Sequence, residues 1–155
     1  MAEFNVEGME ELSAAFMAHE QGAEQVVGEM MKEAAKIYVE EHKQAAGDYG
    51  IRKTGGFINS IKASTVRREG TALTVDICPE GKSDHPADYG GSSNKRKGKS
   101  RKGNVRYATI GFILEYGTSS IPPRPWFTQG NAKAENKGYE KAQEIWSKYV
   151  DKTLG

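Results

Sequence analysis

Residues Tyr107 to Phe127 read YATIGFILEYGTSSIPPRPWF, and the rest of the chain is best understood outward from this segment. Its first half is rich in β-branched and aromatic residues, so we predict a buried strand from Val105 to Glu115. Its second half is a corner with three prolines, each of which fixes φ and favours extended backbone in the residue before it. No helix is therefore expected before Pro125, which suits the first helical position. Trp126 and Phe127 are predicted to be core residues that anchor this helix on the sheet.

The length of the chain is that of one domain. With 155 residues, a single domain over 1–155 can bury a sizeable core, and we expect a flexible basic loop at about 79–104. The single cysteine, Cys78, excludes an internal disulfide and favours a reducing compartment. No apolar run approaches the roughly 18 residues of a membrane span, and the acidic first residues are unlike a signal peptide.

The net charge of +1 hides a strong asymmetry. Residues 1–50 carry eleven acidic side chains and three lysines, whereas residues 89–114 contain no acid at all. The basic residues of this middle part are Lys95, Arg96, Lys97, Lys99, Arg101, Lys102 and Arg106. Such a division of charge favours either a contact with nucleic acid or complementary contacts between subunits.

Hydrophobic periodicity predicts helices at both ends of the chain and strands between them. A short strand at 4–6 and a short helix from Met9, loosening near Gly22, precede a long helix from about Ala23 to Ala46. The last helix is predicted from about Pro125 to Thr153, with an irregular stretch at 131–138. Two alternating strands, at 57–67 and 71–78, are joined by the turn Arg68-Glu69-Gly70, which is typical of a hairpin.

These elements predict an α+β fold. We expect a small antiparallel sheet of three to four strands, with the long N-terminal helix and the C-terminal helix packed on one face. The sheet residues expected to meet the apolar stripes of the helices are Ile61, Leu73, Val75, Ile110, Phe112 and Leu114.

No catalytic constellation stands out in the sequence, and we expect neither an enzyme nor a cofactor or metal site. His19 and His42 fall on predicted helices and are interpreted as solvated. The pattern Asp84-His85-x-x-Asp88 offers three metal-binding groups, but a polar loop is favoured because ordering such a loop costs entropy. Cys78 is expected to pack as a small apolar residue. The glycine pair Gly55-Gly56 is not interpreted as a phosphate-binding loop, because Lys53 precedes the glycines.

Glu115 and the basic loop each admit two interpretations. Glu115 either pairs with an arginine, in a neighbouring subunit or at Arg124, or reaches water as a charge at a strand end. The basic loop either tracks phosphates or is a solvated segment. A lysine-rich stretch without aromatic residues offers no means of reading bases, so a nucleic-acid contact would be independent of base sequence.

Three motifs, in order, resemble those of a known family. Residues 54–61 are similar to its T-G-x-L-x-x-S-I element, residues 107–118 to its Y-A-x-x-x-E-x-G-T element, and residues 123–127 to its P-x-R-P-F corner. The positions that carry this resemblance are Thr54, Gly55, Ser60, Ile61, Tyr107, Ala108, Glu115, Tyr116, Gly117, Thr118, Pro123, Arg124, Pro125 and Phe127. The chain departs from the pattern at Phe57, at Trp126, by extra residues before Glu115, and by the basic insertion at 81–104.

The family is the tail-component family of long-tailed bacteriophages, also described as neck, head–tail joining or tail-completion proteins. The resemblance implies a structural virion protein without catalysis, assembled in the bacterial host cytoplasm and placed at the head–tail junction or the tail end. Its implied partners are other phage neck and tail proteins and further copies of itself, as a ring-forming subunit that is either oligomeric or monomeric when isolated. The alternative function is a small nucleic-acid-binding protein that uses the basic loop without sequence preference.

Overall fold

A computed structural model of the protein describes residues 9–51, 55–70, 72–83 and 105–154, with the backbone alone for 9–21 and 154. The expected strand at 4–6 lies outside these residues, as do Thr54, His85 and most of the basic loop. The described parts form an α+β fold with a long N-terminal helix, a C-terminal helix and two small antiparallel sheets. The predicted single sheet of three to four strands is therefore not confirmed.

Helix α1 runs without interruption from Met9 to Asp48, and helix α4 from Trp126 to Leu154. The predicted break near Gly22 and the predicted irregularity at 131–138 are both wrong. The cost of about 1 kcal/mol for each glycine inside a helix is small beside the packing of two long helices along each other.

Helices α1 and α4 are antiparallel and approach closely along a seam of small residues. Gly130 lies against His42, Gly138 against Tyr38 and Ala34, and Gly22 against Tyr149. On α4 the seam consists of Gly130, Ala134 and Gly138, spaced four residues apart on one face of the helix. The stretch predicted to be irregular is thus the contact surface of the helix, where only small side chains fit. Ion pairs flank the seam from Lys133 to Asp48 and from Lys137 to Glu41.

The predicted hairpin exists, but it is divided into two sheets. Strand β1 (Ile61–Ala63) pairs with β4 (Ile77–Pro79), and β2 (Arg67–Glu69) pairs with β3 (Ala72–Thr74). Between the two pairs, three residues at 64–66 face two at 75–76, so one residue is extra, as in a β-bulge. At this point Ser64 donates its N–H to Asp76 O at 2.8 Å, and its hydroxyl oxygen accepts the Asp76 N–H at 3.0 Å.

Two predicted strand segments are helical. Residues Gly56–Ser60 form the short helix α2, which begins after Gly55 in left-handed conformation (φ 70°). The strand predicted from Val105 to Glu115 is instead helix α3, Tyr107–Tyr116, and it ends at Gly117 with φ 72°. Positive φ just past a helix end is the usual role of glycine.

The buried core contains some of the residues predicted to form it. The central buried cluster comprises Ala46, Ile51, Phe57, Ile61, Ile110, Leu114 and Trp126. Trp126 is therefore the core anchor that the sequence predicts, although it anchors α4 on α2 and α3 rather than on a sheet. Leu73 and Val75 are half-buried, and Phe112 is exposed, so its assignment to the core is wrong. None of the helices in the described ranges combines the length and the apolar composition that a membrane span requires.

Candidate functional site

The segments that carry the three motifs meet at the crossing of α2, α3 and the start of α4. The Trp126 indole N–H donates to Gly111 O at 3.1 Å, and the ring meets Phe57 edge-on at a centroid distance of 5.2 Å. A Cβ at position 111 would lie 3.2 Å from Trp126 and 3.3 Å from Phe57. The absence of a side chain at Gly111 is what lets the indole ring lie close to α3.

Glu115 caps the N-terminus of α4. Its carboxylate accepts the backbone N–H of Phe127 at 2.8 Å and of Thr128 at 3.1 Å, and the Thr128 hydroxyl at 2.5 Å. The Trp126 N–H donates to Arg124 O, and the Gln129 N–H donates to Pro125 O. Every N–H of the first turn thus has an acceptor, and a negative charge lies at the positive end of the helix dipole.

This geometry contradicts two interpretations of Glu115 drawn from the sequence, the charge at a strand end and the pair with Arg124, and a pair with an arginine of a neighbouring subunit stays a prediction. The side chain is buried at the end of a helix, so it neither ends a strand nor extends into water. Arg124 forms no ion pair with any side chain in the described ranges; its backbone N–H instead donates to Leu114 O at 2.6 Å. Sequence reasoning missed the cap because donor and acceptor are 12 and 13 residues apart, well beyond the spacing of a capping box.

The turn between α3 and α4 holds the cap in place. The Thr118 N–H donates to Ile121 O at 2.8 Å, and the Thr118 hydroxyl oxygen accepts the Ile121 N–H at 3.1 Å. A Cβ on Gly117 would lie 2.7 Å from Ile121 O and 2.8 Å from Pro123 N, so only glycine fits there. The residues of the E-x-G-T and P-x-R-P-F motifs therefore set the angle at which α4 leaves α3.

The first motif has a similar structural role. Ser60 donates its hydroxyl to Phe57 O at 2.6 Å inside the turn of α2, and Ile61 is fully buried where β1 begins. Tyr107 is half-buried against Phe57 at a ring distance of 6.3 Å, and its N–H donates to Gly81 O. These side chains join α2 to α3.

His42 is fully buried, so its interpretation as a solvated residue is wrong. Its Nδ1 donates to Tyr38 O at 2.5 Å, and the ring packs on Phe127 at 4.6 Å and on Trp126 at 5.9 Å. Its Nε2 has no hydrogen-bond partner among the described residues. The imidazole fills the space that Gly130 leaves open, and it joins the helix seam to the motif cluster.

An open groove lies between β4 and α3. It has a volume of about 290 Å³, and its lining includes Cys78, Ala108, Phe112, Tyr116 and Trp126. Phe112 and Tyr116 are 65% and 68% exposed, and their rings lie 4.8 Å apart. The outer face of α3 therefore offers two aromatic rings to solvent while its inner face packs in the core.

Cys78 is exposed, so its predicted packing as a small apolar residue is wrong. Partial burial and then the charges of Glu80 and Asp76 raise the pKa of its thiol above the usual range. The thiol is thus protonated at neutral pH and accessible from the groove.

The described residues that flank the basic segment pair with each other. Lys82 and Arg106 form an antiparallel backbone bridge, and the Ser83 N–H donates to Val105 O at 2.8 Å. Arg106 is exposed at the start of α3, whereas the basic residues at 95–102 lie outside the described part of the chain. The described residues on either side of 84–104 therefore lie next to each other.

Within the described ranges, no group of three or more His, Cys, Asp or Glu side chains is placed to hold a metal ion. The Asp84-His85-x-x-Asp88 pattern and the side chain of His19 fall outside what is described. Comparison of the chain with protein-family models, curated proteins and solved structures found no match in any of the three.

Proposed function

We propose that this protein is a structural subunit of a bacteriophage virion, acting at the head–tail junction or the tail end as part of a ring. In this proposal it joins or completes the tail during assembly, next to neck and tail proteins and further copies of itself. Its role is mechanical rather than catalytic, and its place is the virion.

The observation that carries the proposal is the use of the motif residues. Glu115, Gly117 and Thr118 fix the angle between α3 and α4, and Gly111 and Trp126 lock the two helices together. The same helix displays Phe112 and Tyr116 to solvent. A rigid frame with exposed aromatic rings is typical of a surface made for another protein, since buried aromatic residues dominate the energetics of interfaces.

The division of charge also supports assembly from several copies. A ring needs a heterologous interface, in which one patch meets a different patch on the neighbour. Complementary charges on two patches select the correct partner and suppress wrong pairings.

The test is removal of the gene from the phage or prophage genome that carries it. We expect filled heads and separate tails to accumulate in electron micrographs, and wild-type protein supplied in trans to restore joined particles. Mass spectrometry of purified wild-type particles should detect the chain. A normal yield of infectious particles without the gene, or particles that lack the protein, would refute the proposal.

The alternative of a nucleic-acid-binding protein is tested on purified protein with duplex DNA at several salt concentrations. Lys82 and Arg106, both exposed at the base of the basic segment, would contribute to such a surface. Binding through that segment should weaken steeply as salt rises, because each neutralised phosphate releases counterions. Tight, salt-sensitive binding to any DNA sequence, in a chain that is absent from particles, would favour this alternative.

A further inference from the structure

We propose that a second copy of this chain places the outer face of its α4, at Tyr139 and Trp146, in the groove between β4 and α3. This inference rests on the proposed function and names the contact through which subunits would join. It makes Phe112 and Tyr116 one side of the interface and two aromatic residues of the neighbour the other side.

The α4 side of the contact is an aromatic ridge. Tyr139 is 70% exposed and Trp146 is 40% exposed, although tryptophan usually avoids the surface. They are seven residues apart and so lie on one face of α4. That face lies beside the seam, since Gly138 and Ala134 are buried against α1 and successive helical residues are turned by about 100°. The Trp146 ring lies 5.7 Å from that of Tyr149, which contacts α1, while Tyr139 and the exposed part of Trp146 remain uncovered.

The groove side is concave and apolar where the ridge is convex and apolar. Cys78, Ala108 and Phe112 are exposed along it, and Trp126 and Phe127 form part of its lining. Aromatic side chains that enter such a groove would contact the Phe112–Tyr116 pair in the tilted geometries that aromatic rings favour.

Charges on the two surfaces are complementary, which is why a second copy is the occupant we propose. Lys62 pairs in register with Cys78 and so stands on the groove face. Lys82 and Arg106 pair with each other, and in the chain Lys82 follows Pro79 of the groove lining by three residues and Arg106 precedes Ala108 by two. These three cations are exposed and form no ion pair within the described residues. The acids near Cys78 are Glu80, which is exposed, and Asp76, which pairs with Arg67, so the groove carries an excess of positive charge. On α4, Glu135 lies one turn before Tyr139 on the ridge, and Glu140 lies beside the ridge, about 100° round the helix from Tyr139.

Glu135 and Glu140 are likewise exposed, and neither forms an ion pair within the part of the chain that the structure describes. A basic rim facing an acidic ridge would raise the association rate and fix the orientation of the contact. Since groove and ridge lie on different elements, one subunit can use both at once. Such a heterologous contact closes into a ring or continues as a filament, and it does not stop at a dimer.

The native Cys78 allows a direct test by disulfide cross-linking. Gln143 is exposed and lies between Tyr139 and Trp146 on the ridge. We would mix tagged Gln143→Cys/Cys78→Ser protein with wild type under a mild oxidant, so that only a groove-to-ridge contact forms a heterodimer. A disulfide needs Cα atoms within about 7 Å, so cross-linking reports close approach. The matched control is Gln44→Cys/Cys78→Ser, with cysteine at an exposed site on α1.

We expect Gln143→Cys/Cys78→Ser to form more heterodimer with wild type than Gln44→Cys/Cys78→Ser does. Mass spectrometry of this heterodimer should show a disulfide between residues 78 and 143. Tyr139→Ala/Trp146→Ala should weaken self-association measured by light scattering by about 30-fold or more, as for loss of an interface hot spot. Circular dichroism checks that this variant remains folded. The cross-linking experiment is a separate test, because it does not use this variant.

Three results would overturn the inference: a chain that stays monomeric at every concentration, equal cross-linking of the 143 and 44 variants, or wild-type Cys78–Cys78 dimers as the main product. The last would instead indicate a symmetric contact through β4. These outcomes are separate from those of the particle experiment. A chain found in particles but without the 78–143 linkage retains the proposed function and loses this contact. A cross-linked chain that is absent from particles retains the contact and loses the function.

Discussion

The substitution Gly130→Ala tests the seam between α1 and α4 most directly. Helix propensity alone predicts that alanine stabilises the interior of a helix by about 1 kcal/mol relative to glycine. The structure predicts instead that alanine at position 130 destabilises the protein. A Cβ at position 130 would lie 2.7 Å from His42 Cδ2, 2.8 Å from Cγ and 2.9 Å from Cα. Because one of these atoms belongs to the backbone, a change of rotamer cannot relieve the clash, and the helices must separate.

The size of the effect follows from two opposing contributions. Overfilling a packed site costs about 1–3 kcal/mol, and the upper part of that range applies because backbone must move. Subtracting the propensity gain leaves a net destabilisation of about 1–2 kcal/mol for Gly130→Ala. The matched control is Gly28→Ala in α1, where a Cβ meets nothing within 4 Å. That substitution should stabilise the protein by up to about 1 kcal/mol.

The assay is equilibrium unfolding in urea, with thermal unfolding as a second measurement. The two variants should differ by about 2–3 kcal/mol, which corresponds to roughly 4–12 °C in Tm for a domain of this size. Gly138→Ala should fall between them, because its 2.8 Å contact is with the ring of Tyr38, which can rotate. If Gly130→Ala is as stable as Gly28→Ala, the close approach of the helices is not as described and the reasoning fails.

Two further predictions concern charged groups. Replacing Glu115 by Ala should lower the free energy of unfolding by about 3 kcal/mol, since a cap is lost and buried N–H groups remain without acceptors. Glu115→Gln should cost about 1 kcal/mol because its amide oxygen still accepts; equal losses in denaturant unfolding would contradict the cap. Hydrogen bonds from Lys141 and Lys148 lower the pKa of Glu144 to about 2. Its stabilising contribution is therefore complete above the unfolded pKa of about 4.3 and is lost as pH falls towards 2. An NMR titration should show this pKa rising towards the ordinary value at high salt, as expected for an exposed group, and a salt-independent pKa would contradict the assignment.

The helices at both ends, the hairpin and the core position of Trp126 were predictable from the sequence. Each depends on local periodicity or on turn chemistry, which neighbouring residues determine. The run from Tyr107 to Tyr116 is a helix and not the predicted strand, because a short apolar run fits both a buried strand and a buried helix. The helical spacing was present in Tyr107, Ile110, Gly111 and Leu114, which face the core together, while Phe112 faces solvent. Counting that period against the alternation of a strand would have found α3.

The roles of Glu115 and His42 could not be predicted in this way. A carboxylate after an apolar run fits an ion pair, a solvated end or a cap, and the choice depends on where the chain returns 12 residues later. His42 has helical neighbours on both sides in sequence, so only the approach of Gly130 from α4 shows that it is buried.

The class of the fold, the presence of the two long helices and the rigid corner before α4 follow from the conformational preferences of nearby residues, so the amino-acid sequence is enough to predict them. The folded chain is needed to show which glycines are contact points, which carboxylate caps a helix and which aromatic rings remain exposed. Those properties arise from distances between residues far apart in the chain, and no local pattern encodes such distances. The groove and the ridge belong to this second kind, since each is defined by what the rest of the fold leaves uncovered.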